Sequence, residues 1–381
     1  MNERYRVCTR CVMDTTAKEI DFNDEGVCSF CQYFDTNVKP TLERAKIDEG
    51  RKFLEEVVGK IKESGKNKPY DSIIGISGGT DSSYLAHLVV SLGLRPLAVH
   101  VDTGWNTPES EANIRKLVEK LGLDLEIFVV DWEEMKDLQL AFYKASLKNC
   151  EVPQDHAFLA ALYQKANEKG VNYILTGGNL ATESILPQSW GFNAADSRHL
   201  LAVHKLFGTK PLKNFPILTF WSRYLYYPFV RGIKEVRLLN LVPYNRKEAK
   251  RILAEKYGWE DYGLKHYESV LTRFFQGYYL PTKFGIDKRR AHFSSLILSG
   301  QMKREEALEE LKKTPYPDSE LLKQDKAIIA QKLGLTLSEW EAILALPPRD
   351  HSEFPSSELL YKTKDLLVQK LGIRKRWHNF R

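Results

Sequence analysis

Seven consecutive residues, Ser77-Gly78-Gly79-Thr80-Asp81-Ser82-Ser83, are of the types that hold a polyphosphate. They follow the apolar run Ile73-Ile74-Gly75-Ile76 and precede a helical pattern with Tyr84, Leu85, Leu88, Val89 and Leu92 on one face. A buried strand, a tight turn and a helix N-terminus are therefore expected in immediate succession. Such a turn aims free backbone N–H groups and the positive end of the helix dipole at one point. The glycines let the backbone approach an anion closely, and the Ser and Thr hydroxyls add donors. Asp81, a carboxylate inside an anion cradle, is explained by a divalent cation, Mg²⁺, between it and the phosphate. The bland alternative is a Gly/Ser-rich turn with a chance Asp. No G-x-x-x-x-G-K-[ST] occurs, so the loop lacks the lysine suited to transfer of a terminal phosphoryl group.

Cysteine supplies the second constellation. Cys8-x2-Cys11 and Cys28-x2-Cys31 are separated by 16 residues. Two such pairs bring four thiolates to the corners of a tetrahedron, the geometry of a closed structural zinc site. Two disulfides and an iron–sulfur cluster are the competing readings. A four-cysteine zinc site has no open position for water, so catalysis is not placed there. Cys150 stands alone, a packing residue or a nucleophile.

These groups need a scaffold, and the chain has 381 residues in which to build one. With 43% hydrophobic and 28% charged residues it reads as a globular chain with a large core. A formal charge of +6 suits anionic small substrates without demanding nucleic acid. The most apolar stretch, Phe215 to Val230, is interrupted by Arg223, which argues against a membrane span. Met1 to Arg6 leads into no apolar signal core, so a cytoplasmic protein is expected.

The organisation expected is a four-cysteine zinc-binding knuckle over 1–40, a helix and linker over 41–69, a nucleotide domain over 70–260 and a helical lobe over 261–381. Thr41 to Lys62 reads as one amphipathic helix carrying Phe53, Leu54, Val57, Val58 and Ile61. Strands are expected at 72–76, 96–101, 125–130, 172–176 and 236–241, alternating with helices, which predicts a parallel sheet. Helices are expected at 133–148, 155–169 and 246–257, the last capped by Asn245. In the lobe they are expected at 266–276, 287–298, 303–313, 319–333 and 337–345. The stretch 184–232 reads as irregular and aromatic. Ligands of such sheets bind at the carboxyl ends of the strands, so loops 77–83, 102–107 and 177–183 are expected to face one another.

The Ser77–Ser83 loop closely resembles the S-G-G-x-D-S signature of the PP-loop ATP pyrophosphatases. It occurs with Cys8-Thr9-Arg10-Cys11-Val12-Met13-Asp14, Gly177-Gly178-Asn179-Leu180-Ala181-Thr182-Glu183 and Asp287-Lys288-Arg289-Arg290-Ala291-His292. As a set, from about residue 5 to 312, these resemble the N-acetyl sugar amidotransferases of bacterial surface-polysaccharide and nonulosonic-acid pathways. The implied fold is α/β, an adenine-nucleotide alpha-hydrolase-like (PP-loop) parallel sheet with an N-terminal zinc knuckle and a C-terminal helical lobe. The implied reaction converts a sugar's acetamido group to acetamidino. ATP adenylates the amide oxygen, ammonia attacks the activated carbon, and AMP and pyrophosphate leave. The product class is the lipopolysaccharide O-antigen or a related polysaccharide. No glutaminase signature is present, so a separate class-I-type glutaminase subunit is expected to pass ammonia. The sequence leaves a homo-oligomer open.

By the same resemblance Ser77, Gly78, Gly79, Thr80, Ser82 and Ser83 bind the β- and γ-phosphates, and Asp81 meets Mg²⁺. Asp102 ends strand two, where PP-loop enzymes hold the adenosine; a turn or capping role is the alternative. Gly177, Gly178 and Asn179 match a loop near the α-phosphate, with Gly178 where related thiolating enzymes often carry histidine. Glu183 is a second metal ligand or an acid/base group, and His266 a candidate general base. Lys283, Lys288, Arg289, Arg290 and His292 form a basic cluster suited to a nucleotide-linked, acidic sugar, or else a solvated helix face. A tRNA-thiolating PP-loop enzyme is the alternative function. Such enzymes need a cysteine pair beside the ATP site, and only Cys150 follows residue 31.

Overall fold

The computed structural model describes residues 5–261, 263, 267–316 and 318–370. His266 lies outside the described residues. The sheet is five-stranded and wholly parallel, in the order β3-β2-β1-β4-β5. The strands are β1 Ser72–Gly75, β2 Pro96–Asp102, β3 Leu125–Val129, β4 Tyr173–Leu175 and β5 Lys234–Val236. Ile73 stands opposite Leu97 on one side and Ile174 on the other. Central strands covered on both faces need apolar residues at successive positions, which is why Ile73-Ile74 and Leu97-Ala98-Val99 are unbroken apolar runs.

Successive residues serve opposite faces. Ile74, Ala98 and Leu175 pack with helices α1 (Asp48–Ser64), α2 (Thr80–Ser91) and α3 (Pro108–Leu121). Ile73, Leu97, Val99 and Ile174 pack with α4 (Trp132–Lys144) and α5 (Val152–Glu168). After β4 come α6 (Ser197–Phe207), α7 (Arg246–Tyr257), α8 (Arg289–Leu298), α9 (Arg304–Lys312), α10 (Ser319–Leu333), α11 (Leu337–Leu344) and α12 (Glu358–Lys370). The second apolar cluster is continuous from the four cysteines, across the sheet, to Phe274, Leu333 and Trp340. The helices after residue 267 make up the C-terminal helical region and share this apolar core with the sheet.

Three elements depart from the sequence reading. The expected helix over 41–62 is two, Lys39–Arg44 and α1, because the chain doubles back on itself. A β-carbon on Gly50 would lie 2.1 Å from the Arg44 carbonyl oxygen, so only glycine permits the turn. The fifth strand is Lys234–Val236, and Leu238–Leu241 is instead a buried 3-10 turn. A short apolar run buried all round looks the same in either form. The stretch 184–232 contains α6 and a widened helix over Ser222–Val230 that accommodates Pro228. Among the described residues no helix is long and apolar enough to cross a membrane.

Candidate functional site

β1 ends at Gly75, and the chain turns through Gly78, at φ 77°, into the first turn of α2. A β-carbon on Gly78 would stand 2.4 Å from the Ser110 carbonyl oxygen of α3, so glycine is required twice over, by angle and by space. The loop holds its own shape. Ser77 N donates to Ser82 Oγ at 3.2 Å, and Gly79 N to Ser77 Oγ at 3.3 Å. Trp259 Nε1 fixes the Gly78 carbonyl at 2.9 Å. The hydroxyls of Thr80 and Ser83 are buried without a hydrogen-bond partner. Buried donors left this way are costly, and a phosphate at the N-terminus of α2 offers acceptors for them.

Asp81, in that first turn, accepts a hydrogen bond from the Tyr244 hydroxyl. Burial, and then the Asp81 carboxylate, hold the Tyr244 phenol well above its usual range, so it stays a donor. The loop after β4 comes against α2: a β-carbon on Gly177 would lie 3.0 Å from Ser82 N. Asn179 caps the one-turn helix Leu180–Glu183, accepting from Thr182 N at 2.9 Å. Glu183 Oε2 accepts from Asn179 N at 3.4 Å. It also lies 3.7 Å from the place a Gly178 β-carbon would take, with Arg237 Nε 3.6 Å from the same place. A β-carbon at 178 would touch both side chains. The Tyr244 phenol also feels Arg246 and Glu183, which puts all three in one electrostatic neighbourhood with Asp81.

Arg237 and Arg246 each bury an Nε without a partner. Sequence reasoning missed both, and Tyr244 and Trp259 with them, because none lies in a recognisable motif. The available signal was their position: Arg237 directly follows β5 at the carboxyl edge of the sheet, where ligands bind. The residues present fit a magnesium-bound triphosphate. Asp81 and Glu183 offer carboxylates, while the glycine turn and two unsatisfied arginine nitrogens offer donors.

Beside Ser77, a cavity of about 340 Å³ opens over the ends of β1 and β2. Ile76, Val101, Phe158 and Leu162 supply its apolar walls, and Gln154, Glu268 and Thr272 its polar ones. His100 Nδ1–H donates to Ile76 O at 2.9 Å, leaving Nε2 to accept from Asn106 Nδ2 at 3.0 Å. The segment 268–270 closes this mouth. Thr107 N donates to Glu268 O at 3.0 Å, and Val270 N to Trp105 O at 2.9 Å. Asp102 takes the turn role: its Oδ1 accepts from Gly104 N at 2.8 Å. It borders a separate cleft with Trp132 and Lys332, not the cavity at Ser77.

The basic cluster is dispersed. Lys283 Nζ donates to Leu344 O at 2.9 Å. Arg289 forks onto Asp287 at 2.7 Å and also reaches the carbonyls of Glu310 and Lys313. Arg290 pairs with Asp14 and donates to Val12 O. Each of these three heads is held by partners within the chain, and Arg289 also lines a small cavity with Lys288 and His292. His292 and Lys288, one helical turn apart, do line a cavity together.

In the knuckle, Cys8–Cys31, Cys11–Cys28 and Cys28–Cys31 sulfurs each stand 3.7 Å apart, and all four lie within 4.8 Å. Four sulfurs about 2.3 Å from one tetrahedral centre are separated by about 3.8 Å, so the spacing fits a single ion such as zinc. A four-iron cluster would spread them further, since each cysteine binds a different iron. Backbone N–H groups of Cys11 and Cys28 point at Cys8 Sγ, at 3.4 and 3.2 Å, which favours a thiolate. All four cysteines are free of disulfides. Cys150 is fully buried, donates to Leu147 O at 3.3 Å and has its thiol pushed up to about 12 by burial. It packs; it is not poised as a nucleophile.

Residues 72–167 match the model of the phosphoadenosine phosphosulfate reductase domain, and residues 268–368 that of the C-terminal domain of LPS biosynthesis protein WbpG-like sequences. The chain is thus similar to a PP-loop-type domain over the sheet and to a WbpG-like domain over its C-terminal helices. The glutamine-hydrolyzing GMP synthase of Thermus thermophilus is 33% identical over 149 residues, covering 37% of this chain and 27% of its own. The tRNA(Ile)-lysidine synthase of Chlamydia pneumoniae is 28% identical over 116 residues, covering 30% and 34%. The chain thus spans about a quarter to a third of the length of these relatives. Among solved structures, the NH3-dependent NAD synthetase of Campylobacter jejuni aligns with 42% of this chain and 73% of its own at 20% identity and TM-score 0.29. The NMN synthetase of Francisella tularensis aligns with 58% and 100% at 14% identity and TM-score 0.29. The stretch that matches the WbpG-like model contains the 268–270 segment, so this stretch is what closes the cavity beside the Ser77–Ser83 loop.

Proposed function

We propose that this PP-loop protein uses ATP to convert the acetamido group of an N-acetyl sugar, carried on a nucleotide, to an acetamidino group for a surface polysaccharide. The observation that carries the reading is the junction just described: an intact Ser77–Ser83 nest whose neighbouring cavity is closed by a WbpG-like domain. Adenosine occupies the cavity between Ile76 and Phe158, and the β- and γ-phosphates take the N–H groups of the glycine turn and the hydroxyls of Thr80 and Ser83. Asp81 and Glu183 would hold the magnesium ion, which neutralises charge on the departing pyrophosphate. Arg237 and Arg246 supply further positive charge fixed in a water-poor site.

An amide carbon is a poor electrophile, and its oxygen a poor leaving group. The amide oxygen attacks the α-phosphorus, the bond to the β-phosphate oxygen breaks, and pyrophosphate leaves. Ammonia then adds to the activated carbon, the C–O bond breaks, and AMP leaves with the former amide oxygen. Ammonia comes from a separate class-I-type glutaminase subunit in the cytoplasm. The four-cysteine knuckle holds zinc and takes no part in the chemistry.

The test is a mass-spectrometric assay with ATP, Mg²⁺, ammonium and a panel of nucleotide-linked N-acetyl sugars. A product in which NH has replaced O, formed with stoichiometric AMP, is expected. ADP and inorganic phosphate, or sulfur on a nucleobase, would refute the reading.

A further inference from the structure

A second cavity, of about 440 Å³, meets the first at Lys288, which lines both. Its volume is that of a small-molecule site, within about 300–1,000 Å³. Trp190, Phe192, Phe275 and Tyr361 give it flat apolar walls, and His292 a polar one. Trp190 is 3% exposed, and its Nε1–H is buried with no hydrogen-bond partner. An indole N–H left so inside a protein calls for an acceptor that a ligand brings. Rings that offer apolar faces, with few and fixed polar groups among them, suit a pyranose, which presents C–H on its faces and hydroxyls at its rim.

We propose that this second cavity takes the sugar acceptor, the ring lying against Trp190 and Phe192 and its acetamido group directed to the Lys288 junction. There the amide oxygen faces the ATP cavity, and Trp190 Nε1–H donates to a ring hydroxyl. The assignment deepens the function proposed above and rests on it for the identity of the acceptor.

Gly191 provides the test, because its φ of −146° is open to any residue and a β-carbon there meets only Asn149 Nδ2, at 4.0 Å. Gly191→Leu therefore fills the cavity without straining the backbone, and Trp190→Phe removes the N–H while keeping a ring. With the full-length protein and UDP-N-acetylglucosamine as probe, both variants are expected to raise the acceptor KM about tenfold and leave the KM for ATP unchanged. Saturation-transfer NMR gives a second readout. The probe's acetyl methyl signal is expected with the wild type and lost in Gly191→Leu. An acceptor KM unmoved in both variants, with amidino product still formed, overturns the cavity assignment and leaves the reaction standing. ADP formation by the wild type overturns the reaction, while the NMR comparison still judges the cavity. Equal methyl signals in wild type and Gly191→Leu, or none in either, overturn the cavity.

Discussion

Arg290 Nε pairs with Asp14 at 2.8 Å, joining the helix that carries His292 to the four-cysteine knuckle. The joint is reinforced by Arg304, which donates to the carbonyls of Cys8 and Cys11 at 2.8 and 2.9 Å. On its other side α8 holds the loop after β4: Ile185 N donates to Ser295 Oγ at 3.1 Å, and Ser299 Oγ to Ala181 O at 2.8 Å. The knuckle, α8 and the Glu183 loop are therefore one mechanical chain, and its four-cysteine end bears on the loop after β4.

Breaking that joint should be costly. Asp14 is 1% exposed, so Arg290→Met leaves a buried carboxylate with no cation, held only by the Tyr5 and Thr16 hydroxyls and the Thr16 N–H. A loss of about 3 kcal/mol in unfolding free energy is expected, the lower end for a broken buried pair. Urea denaturation measures it, and a variant as stable as wild type would show that the pair is idle.

Metal removal should act at a distance. Elemental analysis is expected to find one zinc per chain, and Cys28→Ser to lower both the zinc content and the melting temperature. AMP formation should fall as well, because α8 loses its abutment. Full activity in a zinc-free protein would break the proposed linkage.

Tyr244→Phe removes the hydroxyl that orients Asp81. A hydrogen bond to a charged group contributes about 1.5–3 kcal/mol, so activity is expected to fall at least about tenfold. The half-saturating Mg²⁺ concentration should shift with it, a change that mere loosening of the fold would not produce. Asp81→Ala should abolish turnover while the protein still melts cooperatively. An Mg²⁺ dependence unaltered in Tyr244→Phe would remove Asp81 from the metal.

Acid should weaken the fold through a histidine pair. His199 Nε2 and His351 Nδ1 lie 3.1 Å apart beneath the Phe192 ring. Burial pushes His199 down to about 4, and burial with the neighbouring His199 pushes His351 down to about 3. Unfolded histidine titrates near about 6.5, so below that pH the unfolded chain takes up protons that the native pair refuses. The pair's contribution is whole above about pH 6.5 and is lost as the pH falls toward about 4. Urea midpoints across that range should drop for wild type and drop less for His199→Gln. Parallel curves would acquit the pair.

The motifs and the sheet were legible in the sequence because each depends on neighbours along the chain. Ser77–Ser83 needs only a strand before it and a helix after it. The two cysteine pairs need only their spacing. The Asn245 cap of α7 is set within three residues, with Glu248 N donating to its side chain at 3.1 Å. The fifth strand was misplaced because burial on every side erases the period that separates a strand from a turn.

What the chain alone determined, then, is that there is an anion nest, a tetrahedral thiolate cluster and a parallel sheet to carry them. Only the tertiary structure decided which cations are left unspent. Arg237 and Arg246 each keep a buried Nε without a hydrogen-bond partner, while Arg289 and Arg290, equally basic in sequence, are consumed by Asp287 and Asp14. A guanidinium's charge is written in the sequence, but its partner is fixed by which carboxylate or carbonyl the fold brings within about 3 Å.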